Sequence, residues 1–134
     1  MALKKKLPDL ANEARQRGVP EMDVNQLEQS KHTSADLMVI DVREPDERAD
    51  GYIQDSIGIP RGVLERDIAK QAFAGDVSDA DLDRPIVCYC GGGSRSLLAA
   101  DALRQMGFTN VSSLQGGFSA WKKTDKRIQT TAGS

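Results

Sequence analysis

The chain has 134 residues, enough for one compact domain and too few for two ordinary ones. Its composition, 39% apolar and 28% charged, excludes a disordered chain, and a net charge of -2 excludes a surface built mainly to bind nucleic acid. No apolar stretch approaches the length of a membrane span.

In chain order, residues 1–21 read as a helical extension. Lys4-Lys5-Lys6 could begin a leader, but Pro8 and Asp9 stand where its apolar core should be, so a cytoplasmic location is expected. Pro8 can open a short helix and Gly18 can end it, with Leu7, Leu10 and Ala14 as its apolar stripe. Asn25 with Glu28 three places on signals a second helix start. Residues 37–42, Leu-Met-Val-Ile-Asp-Val, form a nearly continuous apolar run suited to a strand buried on both faces. Glu44 to Glu47 reads as an acidic first helical turn, stopped by Gly51. An apolar-dotted segment from Ile53 to Ile59 ends at Pro60, and a helix is expected over 62–73 with Val63, Leu64, Ile68 and Phe73 buried. Residues 75–84 read as loop with at most one helical turn. Residues 85–90 give the clearest strand and 94–106 the clearest helix, closed by Gly107. Residues 111–114 form a last short strand and 117–123 a last short helix, with a mobile tail expected over 125–134. Strands alternating with helices predict an α/β domain over 22–124 with a mainly parallel sheet. Ligands of such sheets bind beyond the carboxyl ends of the strands, which brings Asp41, Cys90 and Ile59-Pro60-Arg61 to one edge.

The two cysteines, Cys88 and Cys90, point to the same side of one strand. A disulfide between them would distort that strand, and two thiols with a single histidine, His32, make a poor zinc site, so no metal or organic cofactor is expected. Cys88 reads as a core residue and His32 as a solvent-facing loop residue. Cys90 differs through Gly91-Gly92-Gly93-Ser94-Arg95 behind it. Three glycines are costly in regular structure, but they suit a backbone that turns its N–H groups toward a close ligand. A helix starting beyond them adds further N–H groups and a dipole contribution of up to ~2 kcal/mol in favour of an anion. With the fixed charge of Arg95 this is a cradle for a thiolate nucleophile that needs no histidine base.

Over roughly residues 22–123 the chain resembles the rhodanese, or sulfurtransferase, family. The resemblance rests on Asp41-Val42-Arg43-Glu44, Gly51-Tyr52-Ile53, Ile59-Pro60-Arg61-Gly62, the loop Cys90 to Arg95 with Ser96, and Gly116-Gly117-Phe118 followed by Trp121. It implies a five-stranded parallel sheet flanked by helices on both faces. It also implies a Cys90 that cycles between thiolate and persulfide, taking a sulfane sulfur from thiosulfate or a persulfide and passing it to cyanide, a thiol or a protein acceptor. Gly91, Gly92, Gly93, Ser94 and Arg95 are the expected substrate-binding loop, with Arg61 a candidate for meeting an anionic donor. Asp41 is expected either to orient Arg95 or a loop amide at the sheet edge or to cap the turn after it, and Arg43 to pair with the acids of 44–47. The expected partners are small sulfur donors and acceptors or a protein carrier, with neither nucleic acid nor membrane. Four residues separate Cys90 from Arg95, as in sulfur-transferring members, whereas related cysteine phosphatases and arsenate reductases place five there. Those enzymes and a non-catalytic binding module are the alternatives. Two departures stand out: Tyr52 replaces a frequent histidine, and the uncharged glycines suggest a donor other than thiosulfate.

Overall fold

A computed structural model describes residues 2–124 and 128–129. Its central sheet is built from β1 (Glu21–Met22), β2 (Met38–Asp41), β4 (Ile57–Gly58), β5 (Ile86–Tyr89) and β6 (Val111–Leu114). The strands lie in the order β1-β6-β5-β2-β4 and every neighbouring pair is parallel, so the expected five-stranded parallel sheet is present. Around it lie α1 (Leu7–Gln16), α2 (Val24–Thr33), α3 (Pro45–Ala49), α4 (Leu64–Ala72), α5 (Ser94–Met106) and α6 (Gly117–Lys123). A two-residue antiparallel ladder joins β3 (Tyr52–Ile53) to β7 (Ile128–Gln129). Most of the tail expected to be mobile lies outside the described residues. No helix among those described is long and apolar enough to cross a membrane.

The two central strands show why their apolar runs carry no polar face. Met38, Ile40, Ile86 and Cys88 point into one core with Leu97, Leu103 and Ile68, while Val39, Val87 and Tyr89 point into the other with Leu27, Phe118 and Trp121. Side chains alternate across the pleat, and helices cover both sides. The order reverses between β5 and β2, and the chain leaves their carboxyl ends as the 90–93 and 42–44 loops.

Three local expectations are corrected. Helix α1 buries Ala11 and Ala14, not Leu7 and Leu10, which are exposed. It packs against α5, where small residues allow close approach, and Arg17 clamps it to Asp101 at 2.6 Å. The cap of α2 is Asp23, not Asn25: its carboxylate accepts from the Gln26 amide at 2.8 Å, and the Gln26 side chain accepts from the Asp23 amide at 2.8 Å. Two capping boxes overlap in this stretch, and β1 ending at Met22 selects the earlier one. The segment 53–59 is two short strands broken by a turn in which Asp55 takes φ +70°, and of these Ile57–Gly58 pairs with β2.

Candidate active site

Cys90 follows the last residue of β5, at the carboxyl edge of the sheet between β2 and β6. Its side chain is buried, 1% exposed, on the α5 side. Burial here is not that of an inert core thiol. The Gly93 amide donates to Sγ at 3.1 Å and the Ser96 amide at 3.3 Å, so backbone polarity converges on the sulfur. Among the described residues the Gly91 and Gly92 amides have no protein acceptor. A Cβ at position 92 would meet nothing within 4 Å, so the mouth of the loop is open there.

The amides turn inward because the carbonyls are held outward. At the start of α6 the Phe118 amide donates to the Cys90 carbonyl at 2.8 Å and the Ser119 amide to the Gly91 carbonyl at 3.0 Å. One helix N-terminus thus satisfies its own orphan donors on the loop's acceptors. The approach requires glycine at position 117, where φ is +59° and a Cβ would stand 2.5 Å from the Cys90 carbonyl oxygen. Gly93, at φ +108°, likewise lies against the backbone of Leu114 and Gly116. Gly117→Ala is therefore expected to lower stability by about 2–3 kcal/mol, through left-handed strain and overpacking, and to cut activity further than stability alone explains. Denaturant midpoints beside rates measured on the folded fraction check this.

Arg95 reaches across the mouth to Glu47 of α3, with NH1–Oε1 at 2.8 Å and NH2–Oε2 at 3.0 Å. The bidentate hydrogen bonds from Arg95 bring the Glu47 carboxyl down to about 2, so the pair is charged throughout the neutral range. Sequence reasoning missed Glu47 as this partner. The signal was the acidic turn 44–47, but its three acids, Glu44, Asp46 and Glu47, gave no means of choosing among them.

Asp41 does not contact Arg95. It is the last residue of β2, fully buried on the Tyr89 side of the sheet, and accepts from the Arg43 amide at 3.0 Å, which is the turn-capping alternative. Its carboxylate also takes Arg43 NH2 at 2.9 Å, Arg48 NH1 at 3.1 Å and the Tyr89 hydroxyl at 2.9 Å. Burial, with the adjacent Asp41 charge, pushes the Tyr89 phenol up to about 12, so it stays a donor. Arg43 thus pairs with Asp41 rather than with acidic side chains of 44–47. Its guanidinium lies 4.3 Å over the Phe118 ring, bracing α6 from below. Tyr52 stacks under Arg48 at 3.9 Å, a structural place. Arg61 pairs with Glu65 at 2.7 Å and makes no contact with Cys90 among the described interactions. Cys88 is a core residue whose thiol burial pushes up to about 12. His32 is solvent-facing, as expected, but helical; with Lys31, Gln54, Asp55 and Trp121 it lines a hollow of about 440 Å³ on the α2 and α6 side. No group of three or more His, Cys, Asp or Glu side chains among the described residues could hold a metal ion.

Comparison with known proteins places this geometry in context. The rhodanese-like domain family matches residues 23–124. A sulfurtransferase of Allochromatium vinosum is 32% identical over 105 residues, 78% of this chain and 90% of that protein. The thiosulfate sulfurtransferase GlpE of Shewanella oneidensis is 33% identical over 104 residues, covering 78% and 93% of the two chains. Among solved structures, a protein of unknown function from Rhodopseudomonas palustris, described as a possible tyrosine phosphatase, superposes with a TM-score of 0.79 at 28% identity, covering 96% of this chain and 98% of that one.

Proposed function

The chain belongs to the rhodanese-like domain family and is a sulfurtransferase of the thiosulfate sulfurtransferase type, and we propose that Cys90 is its nucleophile, carrying the transferred sulfur as a persulfide. The observation that supports this most directly is the pair of amide donors, Gly93 and Ser96, already on Cys90 Sγ. They donate to the sulfur that, as thiolate, attacks the outer sulfur of a donor; the bond to the donor's leaving group breaks and its electron pair departs with that group. The Gly91 and Gly92 amides, with no protein acceptor among the described residues, receive the outer sulfur of the persulfide. An acceptor nucleophile then takes that sulfur, and Cys90 leaves as thiolate. The two buried free cysteines suit a reducing compartment such as the cytoplasm, and the open mouth at Gly92 suits a protein carrier as well as a small thiol.

A persulfide is the better donor in this reading. Thiosulfate is a dianion and calls for an uncommitted cation, yet Arg43 and Arg48 are held by Asp41, Arg61 by Glu65 and Arg95 by Glu47. The expected result is a kcat/KM at least about tenfold higher with a low-molecular-weight persulfide than with thiosulfate, the equivalent of one missing charge-assisted hydrogen bond. Equal values would contradict it. A phosphatase reading is less well supported, because the four-residue loop closes until its amides reach Sγ itself, where a phosphate group would have to sit further out. Release of phosphate from an aryl phosphate at rates matching sulfur transfer would reverse that preference.

A further inference from the structure

Behind Cys90 lies a pair of hydroxyls that the sulfur shuttle above leaves without a task. Ser96, in the first turn of α5, and Ser113, on β6, are both 0% exposed, and their oxygens are 2.8 Å apart. Ser96 Oγ also stands 3.4 Å from Cys90 Sγ and 3.2 Å from the Gly93 carbonyl oxygen. The hydroxyl of Ser113 has Ser96 as its partner among the described residues. Buried hydroxyls are costly without partners, so the pair's place directly under the reacting sulfur calls for an explanation. Register provides it: Ser113 lies beside Cys88, on the face of the sheet toward which Cys90 also points.

Counting protons gives two arrangements. With Cys90 as a thiol, S–H donates to Ser96 Oγ and the Ser96 hydroxyl donates to the Gly93 carbonyl. With Cys90 as a thiolate, the Ser96 hydroxyl turns to Sγ, while the Ser113 hydroxyl donates to Ser96 Oγ in both arrangements, because Ser96 has one proton to give. The anion then has three donors, the amides of Gly93 and Ser96 and the hydroxyl of Ser96.

We infer that Ser96 and Ser113 form a hydroxyl relay, Ser96 rotating and Ser113 holding it, that supplies Cys90 with a third hydrogen-bond donor when its sulfur carries charge. Ser96 is then a further catalytic residue, touching the reacting atom, and Ser113 a positioning residue acting through it. The inference rests on the Cys90 persulfide reading and concerns chiefly its second half. When the acceptor attacks the outer sulfur, the S–S bond breaks and its electron pair returns to Cys90 Sγ. The Ser96 hydroxyl swings from the Gly93 carbonyl to the departing thiolate, and no proton is transferred. The charged groups around the thiol are left in place by substitution at either serine. These are Arg95 with Glu47 across the mouth, Asp41 with Arg43 and Arg48 at the end of β2, and Arg61 with Glu65 beyond Cys88.

The test follows the two half-reactions separately in wild type, Ser96→Ala, Ser113→Ala and the double variant. Each is loaded with a low-molecular-weight persulfide and discharged with cyanide, by rapid quench and intact mass, near neutral and at alkaline pH. Ser96→Ala is expected to slow discharge at least about tenfold at both pH values. Its loading should slow less than its discharge, because in loading the negative charge leaves Sγ instead of arriving on it. Ser113→Ala should show the same pattern at about threefold, and the double variant should be no slower than Ser96→Ala. Wild-type discharge in Ser96→Ala, equal slowing of both halves at both pH values, or additive losses in the double variant would overturn the relay. Should Ser96→Ala misfold, Ser113→Ala decides alone, and unchanged discharge in it overturns the inference. A wild type that never loads sulfur would instead sink the sulfurtransferase reading beneath it.

Discussion

Cys90→Ser is expected to abolish sulfur loading and to cut turnover by about 10³-fold or more, while the protein stays folded. A hydroxyl in place of the thiol keeps the two amide donors of Gly93 and Ser96, so the loop retains its hydrogen bonds and stability should change by no more than about 1 kcal/mol. What is lost is the nucleophile, because serine has no base beside it to remove its proton. The nearby charges are an arginine already paired with Glu47 and the Asp41 carboxylate, which is taken up by Arg43, Arg48 and Tyr89. Steady-state sulfur transfer beside circular dichroism and thermal melting reads both halves of this expectation. Substantial turnover in a folded Cys90→Ser protein would mean that another group carries the sulfur.

Asp41→Ala is expected to be the most destabilising of the single changes considered, at about 3–5 kcal/mol. The carboxylate is the common acceptor for Arg43, Arg48 and Tyr89, and it has no exposure to water. Its removal strands the buried Arg43 guanidinium, whose remaining acceptors are the carbonyls of Gly51 and Glu47. Activity should fall as well, because Arg43 braces the Phe118 ring and the amide of that residue holds the Cys90 carbonyl out of the cradle. Equilibrium unfolding in urea measures the loss, read as a lower midpoint at similar slope. A loss below about 1 kcal/mol would show that the network is not the brace described. Tyr89→Phe, which leaves both ion pairs but removes a donor to Asp41 and the acceptor of the buried Ile53 amide, should cost about 1–3 kcal/mol.

Much of this was legible in the amino-acid sequence, and the reasons are specific. The runs at 37–42 and 85–90 have no polar face because both sides of the central strands are covered, and that pattern, with helices alternating between the strands, marks a parallel sheet. Cys90 and its loop stood out because three glycines between a thiol and an arginine are hard to explain as ordinary turn chemistry. The contacts that complete the site were not legible, since each joins residues far apart along the chain. Glu47 meets Arg95 across 48 positions, and the α6 amides meet the loop carbonyls more than twenty residues away. Ser113 looked like any polar residue of a short strand until its register beside Cys88 put it under the thiol. The stripe of α1 was misjudged for a packing reason: leucines are the larger apolar groups, but a helix lying close on α5 buries its alanines instead.

The most direct measurement is the intact mass of the wild-type protein after exposure to a sulfane-sulfur donor, followed by peptide mapping. The expected result is a gain of one sulfur atom, located on Cys90 and removed on addition of cyanide. A protein that gains nothing, or that carries the added sulfur on Cys88 instead, would contradict the assignment of Cys90 as the residue that holds the transferred atom.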